Sequence, residues 1–197
     1  MHSLLRLIAG LGFLVSTALA ADLAPPDAKS ASDYFLQLRL AYAKTPTFHA
    51  SWISNPDRTA LLKLYDEGKP ADFIAKSTAW LKQCPVDAKV HMMLANLLLK
   101  SGDNDGGIFH RLMFYGLATS IVASGDGKTA KTAYKVIAVD EEYTILNYIG
   151  ADLKRQSLQD NCDVMECTLD EKPVVIYFDV TIPLEVESKL LKAANAK

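Results

Sequence analysis

The chain has 197 residues, half of them hydrophobic and 22% charged, with a formal net charge of −2 at pH 7. This is enough apolar material for one domain with a proper core. No run of Lys or Arg forms a patch able to neutralise a row of phosphates, so nucleic acid is not an expected partner.

The first twenty residues read as a secretory signal peptide. Arg6 gives a short basic start, residues 7 to 15 are apolar, and Ala18-Leu19-Ala20 supplies the small-residue exit. The apolar run is too short for a comfortable membrane span, and no later run reaches that length. The mature chain is therefore expected to begin at Ala21, to be periplasmic or secreted, and to have no stable membrane insertion after cleavage. No cysteine stands at the cleavage point to carry a lipid.

Residues 21 to 32 are Ala, Pro, Ser and charge, with Pro25-Pro26 excluding helix, and are expected to form a flexible leader. The rest, 33 to 197, is predicted to be a single α+β domain. Ser32 or Asp33 caps a helix carrying Phe35, Leu38 and Tyr42 at helical spacing, and Pro46 stops it. Helical periodicity resumes over residues 59 to 67, 71 to 83 and 88 to 101, punctuated by Gly68, Pro85 and Gly102.

Gly68 and Gly102 lie 34 residues apart, and at the same offset Ala60 matches Leu94, Leu61 matches Ala95 and Leu64 matches Leu98. This spacing resembles tetratricopeptide repeats. Phe73 and Trp80 depart from the small residues of that pattern, and fewer than three repeats need another layer to bury their faces. Residues 108 to 123 read as a long, largely buried helix ended by Ser124-Gly125-Asp126-Gly127.

After Gly127 the apolar period changes from 3.6 to 2. Residues 134 to 139, 164 to 168 and 174 to 180 alternate as strands, and Asp170-Glu171-Lys172-Pro173 makes the last link a hairpin turn. Between them Asp140 caps a short helix over 141 to 148, ended by Gly150, and a frayed helix runs from Leu184 to the end. The predicted architecture is a tetratricopeptide-like helical layer (33 to 123) packed on a C-terminal antiparallel sheet (within 124 to 197).

Cys162 and Cys167 are five apart in one predicted strand, hence on opposite faces and not paired with each other. All three cysteines read as small buried hydrophobes.

Several segments together resemble a family of exported bacterial proteins known only as a domain of unknown function, some with tetratricopeptide-like helices. The resemblance rests on residues 38 to 46 (Leu-Arg-Leu-Ala-Tyr-Ala-Lys-Thr-Pro), on Ser120-Ile121 followed by Ser124-Gly125-Asp126-Gly127, and on Ala133-Tyr134 running to Glu141-Glu142-Tyr143. It continues in Gln156-Ser157-Leu158 and Tyr177-Phe178-Asp179-Val180. It implies a fold and a compartment, and neither substrate nor catalytic residue.

Cofactor signals are weak. Gly127-Lys128-Thr129 lacks the first glycine of a phosphate loop, where Val122 stands. Residues 103 to 107 offer hard oxygens but place Ile108 and Phe114 where a calcium loop needs glycine and an acid, so they read as a solvated turn. His49, His91 and His110 share no ligand spacing within one helix. No cofactor and no metal is expected.

The candidate site is His110, Ser124, Asp126, Glu141 and Glu142, which fall within 33 residues at the change of architecture. Junctions between layers are where concave sites form. A histidine beside paired acids suits general acid-base work, while two acids in a first helical turn are also favoured by the helix dipole. The expected function is a non-enzymatic module binding a protein or peptide. The alternative is an envelope hydrolase using His110 with Glu141 or Glu142.

Overall fold

The computed structural model describes residues 28–48, 52 and 54–195. The expected signal peptide, the leader up to residue 27 and His49 lie outside the described residues. The fold is α+β: α1 (Ala28–Tyr42), α2 (Pro56–Asp66), α3 (Pro70–Gln83), α4 (Ala88–Ser101) and α5 (Asn104–Val122) come first. A short strand β1 (Tyr134–Lys135), α6 (Val139–Ile149), strands β2 (Asp152–Gln159), β3 (Cys162–Leu169), β4 (Lys172–Asp179) and α7 (Thr181–Asn195) follow.

Helix α1 starts at Ala28, so residues 28–32 are helical, not leader. No breaker stands between Pro26 and Pro46, and Lys29 pairs with Asp33 one turn on at 2.9 Å. Helix α2 is capped by the Asn55 side chain with Pro56 in its first turn, and α3 opens on Pro70. Gly68 and Gly102 end α2 and α4 in the left-handed region, at φ of 67° and 91°.

Helix α5 begins four residues earlier than expected. Asp103 is its cap, accepting from the Gly106 N–H at 2.9 Å, so residues 103 to 107 are a helix start and not a solvated turn. Two glycines then bring neighbours close. A Cβ on Gly107 would stand 2.5 Å from Leu99 Cγ of α4, and one on Gly116 would meet the ring of Phe35 of α1 at 2.1 Å.

The sheet order is β1-β4-β3-β2. Strands β2, β3 and β4 are antiparallel, but β1 pairs in parallel with Phe178 and Asp179, so the sheet is mixed, not purely antiparallel. The strand expected over 134 to 139 stops after two residues because Val136, Ile137 and Ala138 are all buried and turn the chain into α6. The cap of α6 is Ala138 and not Asp140.

Asp170 and Glu171 both take positive φ, the geometry of a tight hairpin between β3 and β4. On β3, Met165 and Cys167 join Ile176 and Phe178 in one core continuous with Phe73, Leu94, Leu117 and Ile121 of the helices, while Cys162 and Val164 face the other way. All three cysteines are free and buried, as strand alternation implied for Cys162 and Cys167.

Candidate functional site

The N-terminus of α6 is an acidic hub. Asp140, Glu141 and Glu142 are all buried. Successive helical residues point about 100° apart, so each reaches a different element. Glu141 meets α1: Arg39, fully buried, donates from Nε to Oε1 at 2.7 Å and from Nη2 to Oε2 at 2.6 Å, and also reaches the Lys135 carbonyl. The Ile137 N–H donates to Glu141 Oε2 at 2.8 Å, which diverts the chain from the sheet.

Asp140 meets α2, taking Arg58 Nη1 at 2.8 Å. The same guanidinium donates from Nε to Asp87 Oδ2 at 2.6 Å, and Asp87 also accepts from Trp80 Nε1 and from the Val90 N–H as the cap of α4. Burial works against the Arg58 charge, yet the Asp87 carboxylate outweighs it and raises the pKa. The same Asp87 charge adds to burial in pushing up the Cys84 thiol beside it.

Glu142 meets β3. Among the described residues no N–H or O–H donates to either of its oxygens. Its partner is the carboxyl of Asp163, itself an acceptor when ionised, so the bond forms only if one acid keeps a proton. Burial, then the Asp163 charge and hydrogen bond, then Glu141 and Asp140, raise the Glu142 pKa to about 9. Asp163 accepts from Gln156 Nε2 at 2.8 Å, and Gln156 Oε1 accepts from the Tyr143 hydroxyl at 2.8 Å, closing the solvent side.

His110 lies elsewhere. Its Nδ1 is 2.8 Å from Nδ1 of His91 on the adjacent α4, and His91 Nε2 is 3.1 Å from the Pro85 carbonyl. Burial lowers both pKa values to about 4, and for His110 the second imidazole adds to the effect. Both rings are neutral at pH 7.

The family model described as a domain of unknown function, DUF4919, matches residues 24–189. The chain belongs to DUF4919. No curated protein and no solved structure matches it. In this DUF4919 chain the five residues singled out from sequence serve three separate groups. Glu141 and Glu142 share the hub; His110 pairs with His91 and makes no hydrogen bond or ion pair with them among the described residues. Ser124 and Asp126 build the loop after α5: Ser124 Oγ accepts from the Lys135 N–H at 2.8 Å, and Asp126 Oδ1 accepts from the Lys128 N–H at 2.9 Å and from the Thr132 hydroxyl. Those bonds, Thr132 first, hold the Asp126 carboxyl below its ordinary pKa.

Sequence reasoning missed Arg39, Arg58, Asp87, His91 and Asp163. Arg39 had a visible signal, since it occupies the i+4 position of the apolar face started by Phe35. His91 had a subtler one: it and His110 lie nearly symmetrically about the Ser101-Gly102 turn, as facing residues of an antiparallel helix pair do.

Two hollows are notable. One, of about 60 Å³, lies between Leu36, Arg39 and Leu40 of α1 and Val136, Ile137 and Ile182. A space of that size is too small for a substrate. The other is an open groove along α7, lined by Asn161, Leu184, Glu185, Ser188 and Lys192. Neither borders Glu142, Asp163 or His110.

The outer face of α5 is different in kind. Ile108, Leu112 and Tyr115 follow one another at i, i+4 and i+7 and are exposed by 38%, 41% and 45%. Tyr148 of α6, 37% exposed, extends the stripe, its ring centroid 6.3 Å from that of Tyr115 and 5.8 Å from that of Phe114.

Proposed function

We propose that the chain is an exported, periplasmic or secreted, non-enzymatic binding or scaffold module whose tetratricopeptide-like helices present a surface to a protein or peptide. The observation that carries this reading is the Ile108-Leu112-Tyr115-Tyr148 stripe. Isolated exposed apolar residues are ordinary, but four in a row along one helical face and into the next helix form a patch of the sort that marks an interaction surface. Aromatic anchors flanked by aliphatic side chains are the usual centre of such an interface.

A photo-crosslinking side chain at Tyr115 tests this in cells that make the protein. A discrete adduct with another protein, lost when Leu112→Asp is added while the melting temperature holds, supports the reading. No adduct at Tyr115, or one indifferent to Leu112→Asp, overturns it. Export is tested separately: the envelope or secreted fraction should contain a chain beginning at Ala21, and a cytosolic chain retaining residues 1 to 20 refutes it.

The hydrolase alternative now rests on Glu142 with Asp163 in place of His110 with Glu141 or Glu142. A neutral carboxyl against a carboxylate can give and take a proton. The pair is closed over by Gln156 and Tyr143 and neither hollow opens onto it, so binding remains the preferred reading.

A further inference from the structure

We propose that His91 and His110, facing each other across α4 and α5, form a two-imidazole site for a divalent transition-metal ion. The argument begins with the tautomers. The Pro85 carbonyl can only accept, so the His91 Nε2 facing it at 3.1 Å carries the hydrogen and His91 Nδ1 carries a bare lone pair. The 2.8 Å contact between the two Nδ1 atoms then requires the hydrogen to sit on His110 Nδ1.

His91 thus already has the arrangement of a metal-ligating histidine: one nitrogen bare, the other anchored to a backbone carbonyl that fixes ring and tautomer. His110 needs one change. Its proton shifts through solvent from Nδ1 to Nε2, an atom that makes no hydrogen bond among the described residues and sits on a half-buried ring. Two nitrogen-metal bonds form, two waters leave the ion, and no net proton is released.

Seating an ion takes a small separation of the two nitrogens and a turn of each ring, so that lone pairs directed along one line meet at a common point. Metal-nitrogen bonds of about 2.0–2.1 Å at a tetrahedral angle set the nitrogens roughly 3.3 Å apart, against 2.8 Å in the hydrogen-bonded pair. Among the described residues no group of three or more His, Cys, Asp or Glu side chains is placed to hold an ion, so water completes the shell. Asp103, which caps α5 and acts on His110 electrostatically, adds negative charge nearby. Two imidazoles and water select copper or zinc over calcium or magnesium, with Cu²⁺ tighter than Zn²⁺.

The test uses the full metal-free chain titrated with Zn²⁺ and with Cu²⁺ by calorimetry. One equivalent should bind, Cu²⁺ more tightly. His110→Gln, whose amide still donates to His91 Nδ1, should keep the metal-free melting temperature and lose affinity about tenfold or more. Equal binding by wild type and His110→Gln, which would put the metal on His2, His49 or another group, overturns the proposal, as does no binding at all. A readout on the wild-type chain avoids reliance on the variant: saturating Zn²⁺ must remove the His110 Nδ1–H signal in imidazole NMR and retain that of His91 Nε2–H. If both signals persist, the pair is a hydrogen bond only and the proposal fails.

Discussion

Replacing Glu142 with Gln should make the protein more stable at alkaline pH. In the folded chain Glu142 keeps its proton up to about 9, against an ordinary value of 4.5. A group whose folded pKa is raised contributes stability that is fully present below the unfolded pKa and is lost as pH rises through the folded one. Between those limits the loss is about 1.4 kcal/mol per pH unit. From pH 5 to pH 8 the wild type should therefore lose up to roughly 4 kcal/mol through this one residue.

Glutamine has nearly the same shape, its amide can donate to Asp163 as the protonated acid does, and it has no proton to lose. Both side chains leave one oxygen without a donor, and the second amide hydrogen of glutamine adds a cost that does not change with pH. The stability of the variant relative to wild type should therefore rise by about 2–4 kcal/mol from pH 5 to pH 8. Urea unfolding of both proteins at the two pH values measures the difference, in which titrating groups that do not interact with Glu142 cancel. A difference that stays constant between pH 5 and pH 8 would refute the shared proton. A side chain whose neutral isostere gives a more stable fold is also one to examine for a role beyond stability.

Three further outcomes follow from the same contacts. Arg58→Ala removes the one guanidinium that Asp87 and Asp140 share inside the protein and should cost about 3–5 kcal/mol in denaturant unfolding, the range for breaking a buried pair from one side; a cost below about 1 kcal/mol counts against the hub. Gly125→Ala would drive a Cβ to 2.2 Å from the Thr132 carbonyl oxygen and should cost about 1–3 kcal/mol through strain, with a backbone shift visible in the amide NMR of residues 132 and 133. The two histidines titrate in the opposite sense to Glu142: their folded values near 4 lie below the ordinary 6.5, so stability present above 6.5 is lost as pH falls toward 4. His91→Gln should flatten that acid limb, and an unchanged limb places the acid sensitivity elsewhere.

Where hydrophobic period dominates, the fold could be read from the chain. Helix α4 was predicted over the residues it occupies, because Pro85 and Gly102 bound its apolar helical run. Strand β2 was not predicted, and the reason is geometric. Its apolar residues Leu153 and Leu158 are five apart, which in a straight strand puts them on opposite faces. The register shift between Leu153 and Arg155 absorbs one residue, so Leu153 aligns with Cys167 and Leu158 with Asp163 on the same side of the sheet. A bulge erases the alternation by which a strand is recognised.

The site was legible only in part, because its decisive feature is a count of charges that come together in space. Glu141 and Glu142 stood out as paired acids at a layer junction, and a first-turn position by a helix dipole explains negative charge at a surface. It does not suffice for acids that are buried. Arg39 is committed to Glu141, with Ser120 and the Lys135 carbonyl on its other donors. Arg58 is divided between Asp87 and Asp140. Asp87, Asp140 and Glu141 thus take up both guanidinium groups, and among the described residues no cation contacts Glu142, whose neighbour is a further acid, Asp163. A third buried negative charge in that setting costs more than holding a proton does, so three consecutive acids that look alike in the sequence become two anions and one neutral hydrogen-bond donor in the fold.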